Sequence, residues 1–284
     1  MTNALRKSPS LATKFKRFNV VVWVFIGAFG FLSSNGYALD SFASPAVEAA
    51  RLAPREVLGD LGGMPVTIPR YFANSVEYEG DPAWSEKRPG PRPQRTHQSK
   101  LVSFGYYTRF PDMAGESSAE LIGDRRTYPA RTTPWIKVGV RTGSIYPGGD
   151  FLERRVASIG KSGQILKYER YARLPDLQHD LIVYTPQGID PRTSRPYRED
   201  RDAHDLYVHR DKAGRVEAYI DCSNRNVPAP PCQHSFSLEP NMHAQINVIY
   251  RRSQLENWRE IQQAITQQIL GFKVSPSSTR STKP

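Results

Sequence analysis

Two heptapeptides carry residue types that acid–base chemistry would need. YTRFPDM runs from Tyr107 to Met113 and YARLPDL from Tyr171 to Leu177, with Tyr, Arg, Pro and Asp at the same four places. Paired carboxylates, here Asp112 and Asp176, serve hydrolases as general acid and base or as nucleophile. The structural alternative is stronger, because proline ends a hydrogen-bond ladder and a following aspartate closes a turn. We therefore predict no catalytic residue and keep an envelope hydrolase as the alternative.

The sequence contains no motif for a serine nucleophile, a phosphate-binding loop or a metal site. GKSGQ is not the G-x-S-x-G motif of a serine nucleophile, and a P-loop would need glycine where Arg155 stands. The six histidines form no H-E-x-x-H motif; they are His97, His179, His204, His209, His234 and His243. REDRDAHD, from Arg198 to Asp205, lacks the glycine and distal glutamate of an EF-hand and predicts a solvated, self-paired loop. No metal site and no cofactor is predicted.

Arginine pairs favour an interaction surface instead. Arginine and tyrosine are enriched among the residues that anchor protein interfaces, and this chain has 14 tyrosines. The predicted partner-binding residues are Arg125, Arg126, Tyr128, Arg154 and Arg155. Ordinary solvated arginines explain each pair equally well when it is taken alone.

The N-terminal segment predicts export. Five basic residues and no acid precede an uncharged apolar run from Asn19 to Leu32, and Gly36 and Ala38 then supply a small-x-small site. This is the layout of a secretory signal, so residues 1–38 are predicted to be a signal peptide. The alternative is an N-terminal anchor in the inner membrane through residues 19–32. Either assignment places the rest of the chain in the periplasm.

Much of the positive charge lies in that segment. The chain has 39 Lys+Arg and 28 Asp+Glu, and residues 1–38 hold five of the former and none of the latter, which leaves a net charge of +6. Mild positive charge suits an acidic protein partner and is weak evidence for nucleic acid. We therefore predict a protein partner and no nucleic acid.

The two cysteines predict one disulfide. Cys222 and Cys232 flank the polar, proline-rich segment SNRNVPAPP. In an oxidising compartment a close pair reads as a bridge that pins a loop between two strands. Two cysteines alone are too few for a zinc site.

Short alternating strands predict an antiparallel sheet. PWIKVGVRT places Ile136, Val138 and Val140 on one face, and DLYVHRDKAGRVEAYIDC predicts a hairpin that turns at residues 211–214. RRVASIGKSGQILKYERYARL predicts a second hairpin around residues 160–163. The gaps are too short for crossover helices, so the pairing is antiparallel.

One amphipathic helix is predicted near the C-terminus. Its apolar residues recur at spacings of three and four; they are Leu255, Trp258, Ile261, Ile265 and Ile269. Ser253 with Glu256 predicts a capping box, and Gly271 the helix end. The predicted fold class is α+β: a mainly antiparallel β-sheet with hairpins and one C-terminal amphipathic helix packed on the sheet.

The predicted organisation is one globular domain with flanking segments. Residues 39–60 form a leader, residues 61–272 the domain and residues 273–284 a disordered tail. Each heptapeptide lies in one of two predicted β pseudo-repeats, at 101–145 and 165–222. A chance match of a common strand-exit pattern is the alternative.

Four blocks carry a resemblance to a known group. They are GDLGGMPVTIPRYF, RFPDM, CSNRNVPAPPCQHSFSLEP and YRRSQLENWREIQQAITQQILGF, within residues 57–272. Together they resemble the periplasmic immunity proteins encoded beside type VI secretion effectors, including those paired with lipase-type toxins. The resemblance implies an exported, non-catalytic protein that binds and occludes a cognate secreted toxin. A structural protein that binds the cell envelope is a further alternative.

Overall fold

A computed structural model describes residues 56–82, 85–161 and 171–274, and one large antiparallel sheet organises them. Ten of the described strands belong to it. In spatial order they are β3 (Asn74–Tyr78), β4 (Leu101–Arg109), β6 (Trp135–Arg141), β14 (Gln245–Arg251), β13 (Pro231–Ser237), β12 (Val216–Ser223), β11 (His204–Arg210), β8 (Ile182–Pro186) and β7 (Tyr171–Arg173), with β5 (Ala114–Gly115) paired to β4. Neighbouring strands of the sheet all run antiparallel, as predicted.

Smaller elements surround the sheet. Two hairpins form separate two-stranded sheets: β1 (Val57–Leu61) with β2 (Met64–Ile68), and β9 (Ile189–Asp190) with β10 (Arg195–Pro196). The α-helices among the described residues are α1 (Ala119–Thr127), α2 (Phe151–Ala157) and α3 (Trp258–Leu270). No helix among the described residues is both long and apolar enough to cross a membrane.

Alternation along the strands gives the sheet two different faces. On β6, Ile136, Val138 and Val140 are buried, whereas the residues between them are open to solvent. The buried side chains form the main core with α3, which contributes Trp258 and the isoleucines predicted for its apolar face. We call this side the core face and the opposite side the second face. The predicted helix and its packing on the sheet are confirmed.

The start of α3 differs from the prediction. A 3-10 turn over Arg252–Asn257 precedes the helix, and neither element has a side-chain cap, so the capping box of Ser253 and Glu256 is wrong. The tighter turn places Arg252 within hydrogen-bond reach of Asp205, a tertiary contact that the local pattern does not contain. The helix ends at Gly271 as predicted, with the Gly271 N–H donating to the Gln267 carbonyl.

The predicted hairpin around residues 160–163 is wrong in its first half. Residues Phe151–Ala157 form α2, and Phe151 and Leu152 pack on the second face in an apolar cluster with Tyr219. Leu152 and Val156 follow helical spacing, which competed with the period-two pattern used for the prediction. Residues 162–170 lie outside the described residues, and β7 follows them.

The predicted domain limits fall near observed elements. β1 begins at Val57, inside the predicted leader. Lys273 bridges to Val66, and the Val274 N–H donates to the Pro65 carbonyl, so the first two residues of the predicted tail continue onto β2. The predicted signal or anchor and residues 275–284 lie outside the described residues.

The predicted disulfide is present. Cys222 on β12 and Cys232 on β13 are directly opposite each other, fully buried and bonded. The bridge closes the loop between these strands, ten residues apart in sequence.

Removing this bridge is expected to lower stability substantially. Replacing both cysteines with alanine should reduce the unfolding free energy by about 3 kcal/mol. The reason is that a cross-link that closes a loop of this length lowers the conformational entropy of the unfolded chain and so raises its free energy by about that amount. Urea denaturation of the two proteins measures the difference. Dithiothreitol should shift the wild-type midpoint in the same direction and leave the variant unchanged. Equal midpoints for the oxidised wild type and the variant would contradict the expectation.

Candidate functional site

Strand register arranges part of the second face into three rows. The rows run across β4, β6, β14 and β13, in that order. The first row is Tyr107, Lys137, Ile249 and Gln233; the second is Gly105, Gly139, Asn247 and Ser235; the third is Ser103, Arg141, Gln245 and Ser237. With strands about 4.8 Å apart and rows about 7 Å apart, the floor measures roughly 14 Å in each direction.

Two adjoining depressions, of about 430 and 460 Å³, lie on this floor. They share Arg141, Gln233 and Asn247, so they form one continuous concavity. One side of it is bounded by α2, which contributes Arg154 and Arg155. We call the three rows together with these two arginines the cationic trough.

Paired glycines create the hollow in the middle of the trough. Gly105 and Gly139 are directly opposite each other on β4 and β6, and neither has a positive φ. A Cβ atom on Gly139 would come no closer than 3.8 Å to the carbonyl oxygen of Asn247. Glycine weakens a strand interior and often marks a place where another chain approaches the backbone closely. A Cβ atom on Gly105 would lie 3.2 Å from the carbonyl oxygen of Val138, so that position is tight, whereas Gly139 would accept a side chain and supplies open space.

The trough presents positive charge and hydrogen-bond donors, and one carboxylate, that of Glu77, also lines it and accepts a hydrogen bond from Ser103 Oγ (2.7 Å). Lys137 and Arg141 flank Gly139 on β6, both are exposed, and neither forms an ion pair with another described residue. The Asn247 Oδ1 atom accepts hydrogen bonds from Ser235 Oγ (2.8 Å) and Gln233 Nε2 (3.4 Å). The amide NH2 of Asn247 is thus left to donate. Such a surface favours an anionic ligand.

The predicted partner-binding arginines border the trough. The Arg155 guanidinium lies 4.6 Å from the ring centroid of Tyr219 and donates to Ser235 Oγ (2.9 Å). At the other end, the Arg125 guanidinium lies 4.1 Å from the ring centroid of Tyr107. Stacking on an aromatic ring and hydrogen bonding hold these guanidinium groups in place before any partner binds.

Of the other predicted partner-binding residues, Arg154 belongs to the trough and Arg126 and Tyr128 lie outside it. Arg154 is paired with Asp150 and donates to the Pro147 carbonyl (2.5 Å). Arg126 and Tyr128 are exposed at the C-terminal end of α1. A partner role for all five residues stays a prediction.

Sequence reasoning missed the floor itself. Lys137, Gly139 and Arg141 occupy the alternate positions of PWIKVGVRT, so the off-core face of β6 was readable as Lys-x-Gly-x-Arg. Their neighbours were not readable, because Asn247 and Gln233 come from strands about a hundred residues further along the chain.

The first heptapeptide forms a strand exit. Asp112 accepts hydrogen bonds from the Arg109 guanidinium (2.6 Å) and from the backbone N–H of Ala114 (3.4 Å). The hydrogen bond from Arg109 lowers the pKa of Asp112, against a smaller opposing effect of desolvation. This carboxylate closes a turn, as the structural interpretation predicted.

The two heptapeptides lie far apart. β4 and β7 are second and ninth in the sheet order. Helix α3 contacts both regions. Its Trp258 donates to the carbonyl of His179, three residues after Asp176. Its Gln268 donates to the carbonyl of Met113, the residue after Asp112. Ten helical residues span about 15 Å, which exceeds the separation that paired catalytic carboxylates use. The structure does not bring the proposed pair together, and the pseudo-repeat stays a prediction.

The acidic segment from Arg198 to Asp205 is not solvated throughout, contrary to the prediction. Asp205 lies on β11 and is fully buried. It accepts hydrogen bonds from Arg198 (2.8 Å), Arg252 (2.6 Å) and Asn224 (3.1 Å). Burial raises the pKa of Asp205, but these hydrogen bonds outweigh burial and hold it below its ordinary value. Pairing with Arg198 was predicted, whereas pairing with Arg252 was not.

Three histidines are paired with acidic side chains. His204 pairs with Asp221, His209 with Glu217 (3.2 Å) and His243 with Glu239 (3.0 Å). In the described part of the chain, no group of three or more His, Cys, Asp or Glu side chains is placed to hold a metal ion.

A solved structure has a similar fold. It is an immunity protein of the type IV secretion system of Stenotrophomonas maltophilia, with a TM-score of 0.50 and 18% sequence identity. The alignment covers 78% of this chain and 94% of that protein. No family model matches the sequence, and the curated proteins give no significant match. At this identity the likeness establishes the fold, and the predicted link to type VI secretion and lipase-type toxins stays a prediction.

Proposed function

We propose that this chain is an exported, non-catalytic immunity protein that binds a cognate secreted toxin and occludes it. The observation that carries the proposal is the cationic trough, an open face with unpaired charge on a sheet whose fold is similar to that of an immunity protein. A binding face of this kind needs no catalytic group, since blocking access to the toxin's active cleft is sufficient for neutralisation.

The architecture suits tight binding by a preformed surface. The floor of the trough is fixed by strand register, and Arg125 and Arg155 already rest on tyrosine rings. Affinity benefits when side chains are ordered before association, because less conformational entropy is lost in the complex. Arg154 adds to the contact surface within the trough, and Arg126 and Tyr128 extend it beyond the trough.

The proposed compartment is the periplasm. The buried disulfide supports an oxidising environment. Residues 1–38 would direct export, and an uncleaved segment 19–32 would keep the protein at the inner membrane. The sequence blocks favour a lipase-type toxin delivered by type VI secretion, whereas the fold likeness favours type IV delivery. The neighbouring reading frame distinguishes these two systems.

Loss of the gene is expected to make cells sensitive to their own kin. A deletion strain grown in contact with siblings that carry the intact secretion system should lose viability, because incoming toxin is no longer bound. Viable counts after co-culture measure this, and siblings with an inactive secretion system provide the control. Restoring the gene with residues 1–38 removed should fail to protect. Equal survival of the deletion strain and its parent beside armed siblings would overturn the proposal.

A further inference from the structure

Resting on the proposed function, we infer that the toxin inserts an acidic loop with an apolar side chain into the cationic trough. The loop's carboxylates contact Lys137 and Arg141, and its backbone lies over Gly105 and Gly139. The apolar side chain contacts Ile249.

Charge selects the acidic character of the loop. Other cations that border the trough among the described residues already have an acidic partner, as Arg125 has in Glu116 (2.7 Å) and Arg154 has in Asp150. Lys137 and Arg141 are left without such a partner among the described residues. They project from the same face of one strand, four residues apart and thus about 13 Å apart along it. Two carboxylates on one extended segment span that distance.

Open space selects a close backbone approach. Gly139 removes a side chain directly between the two cations on β6, and Gly105 removes the one opposite it on β4. The amide NH2 of Asn247 adjoins Gly139 and provides a donor for a backbone carbonyl or a carboxylate. A floor roughly 14 Å wide accommodates a loop or hairpin but not a broad flat surface, since α1 and α2 rise on either side.

One apolar side chain completes the first row. Ile249 is 40% exposed and lies between Lys137 and Gln233. Its exposed neighbours on this face are polar, so this isoleucine offers a single apolar contact beside a cation. Anchors of this kind sit near the centre of interfaces.

Charge reversal tests the electrostatic part. The probe is the purified secreted protein encoded in the adjacent reading frame, and calorimetry measures its Kd. Lys137→Glu with Arg141→Glu should weaken binding roughly 100-fold, because carboxylates would face carboxylates. Lys212→Glu is the matched control. Lys212 lies in the turn between β11 and β12, outside the trough, and its charge reversal should change Kd less than about twofold. Reversing the responsible carboxylates of the toxin to lysine should restore binding to the double variant.

Filling the hollow tests the steric part. Gly139→Ala adds one methyl group and should weaken binding about threefold, whereas Gly139→Tyr should weaken binding at least tenfold, because each side chain would occupy space proposed for the loop's backbone. Both changes improve strand propensity, so the melting temperature should stay level or rise. Lower affinity with unchanged or higher stability distinguishes a binding role of Gly139 from a folding role.

The outcomes separate the two proposals. Wild-type protein that binds the toxin while all trough variants bind equally well would overturn the acidic-loop inference and leave the proposed function standing. Failure of the wild type to bind the toxin would overturn the proposed function, and the inference with it. Self-association of the wild type that Gly139→Tyr abolishes, with toxin affinity unchanged, would assign the trough to a second copy of this chain and also overturn the inference.

Discussion

Asp205→Ala is expected to lower the unfolding free energy by about 3–5 kcal/mol. The carboxylate is fully buried and joins three separate segments through Arg198, Asn224 and Arg252. Arg252 is only 26% exposed and starts the turn that leads into α3. Removal of the carboxylate leaves that guanidinium partly buried without its counter-ion, and the cost of an unpaired buried charge exceeds the cost of a lost contact. Urea denaturation at neutral pH measures the effect.

The same acidic segment contains a matched control. Asp202 pairs with Arg225 at 3.3 Å in a half-exposed position. Asp202→Ala should therefore cost less than about 1 kcal/mol. If the alanine variant does not fold, Asp205→Asn replaces it in the measurement. Asparagine keeps the volume of the side chain, so its loss of unfolding free energy should be intermediate. A loss below about 1 kcal/mol for both Asp205 variants would show that the network contributes little.

Stability is expected to fall as the pH is lowered through the range in which histidine ordinarily titrates. His234 is fully buried on the core face, and this burial lowers its pKa to about 3. Its Nε2–H donates to Gln262 Oε1 (2.9 Å), and Nδ1 accepts from the Tyr250 hydroxyl (3.4 Å), so the neutral ring is the form that fits.

The sign follows from proton binding. Histidine in the unfolded chain has a pKa near 6.5, so below that pH the unfolded state binds a proton that the folded state does not. The part of the unfolding free energy that depends on a neutral His234 is fully present above about pH 6.5 and is lost as the pH falls toward 3. Between pH 7.5 and pH 5 this amounts to about 2 kcal/mol. The buried Asp205 acts in the same direction at lower pH, since its pKa is also depressed.

A pair of histidine variants isolates the effect. His234→Gln removes the titrating group and should remove about 2 kcal/mol of the stability difference between pH 7.5 and pH 5. His243→Gln, at a side chain that is 70% exposed, should leave most of that difference in place. An unchanged pH dependence in His234→Gln would refute the assignment. Denaturant titrations at the two pH values provide the comparison.

Local patterns were sufficient for most of the predicted strands, the C-terminal helix and the disulfide. Alternation placed Ile136, Val138 and Val140 on one face because side chains point to opposite sides of a strand in turn. The isoleucines of α3 share a face for the analogous helical reason. The disulfide between Cys222 and Cys232 was predictable from their spacing and from the predicted export to an oxidising compartment. Local ambiguity explains the error at α2, where a short segment fits a helix and a strand equally well.

Tertiary structure alone decided which residues meet. The side-chain period fixes the face of each strand, but not the neighbour across it, which depends on long-range pairing. β14 lies between β6 and β13, and this order brings Asn247 beside Gly139 and completes the cationic trough. In the same way, Asp205 meets Arg252 across 47 positions of sequence. The sequence thus determined a sheet with an apolar core face, and the order of its strands assembled the cationic trough on part of the opposite face.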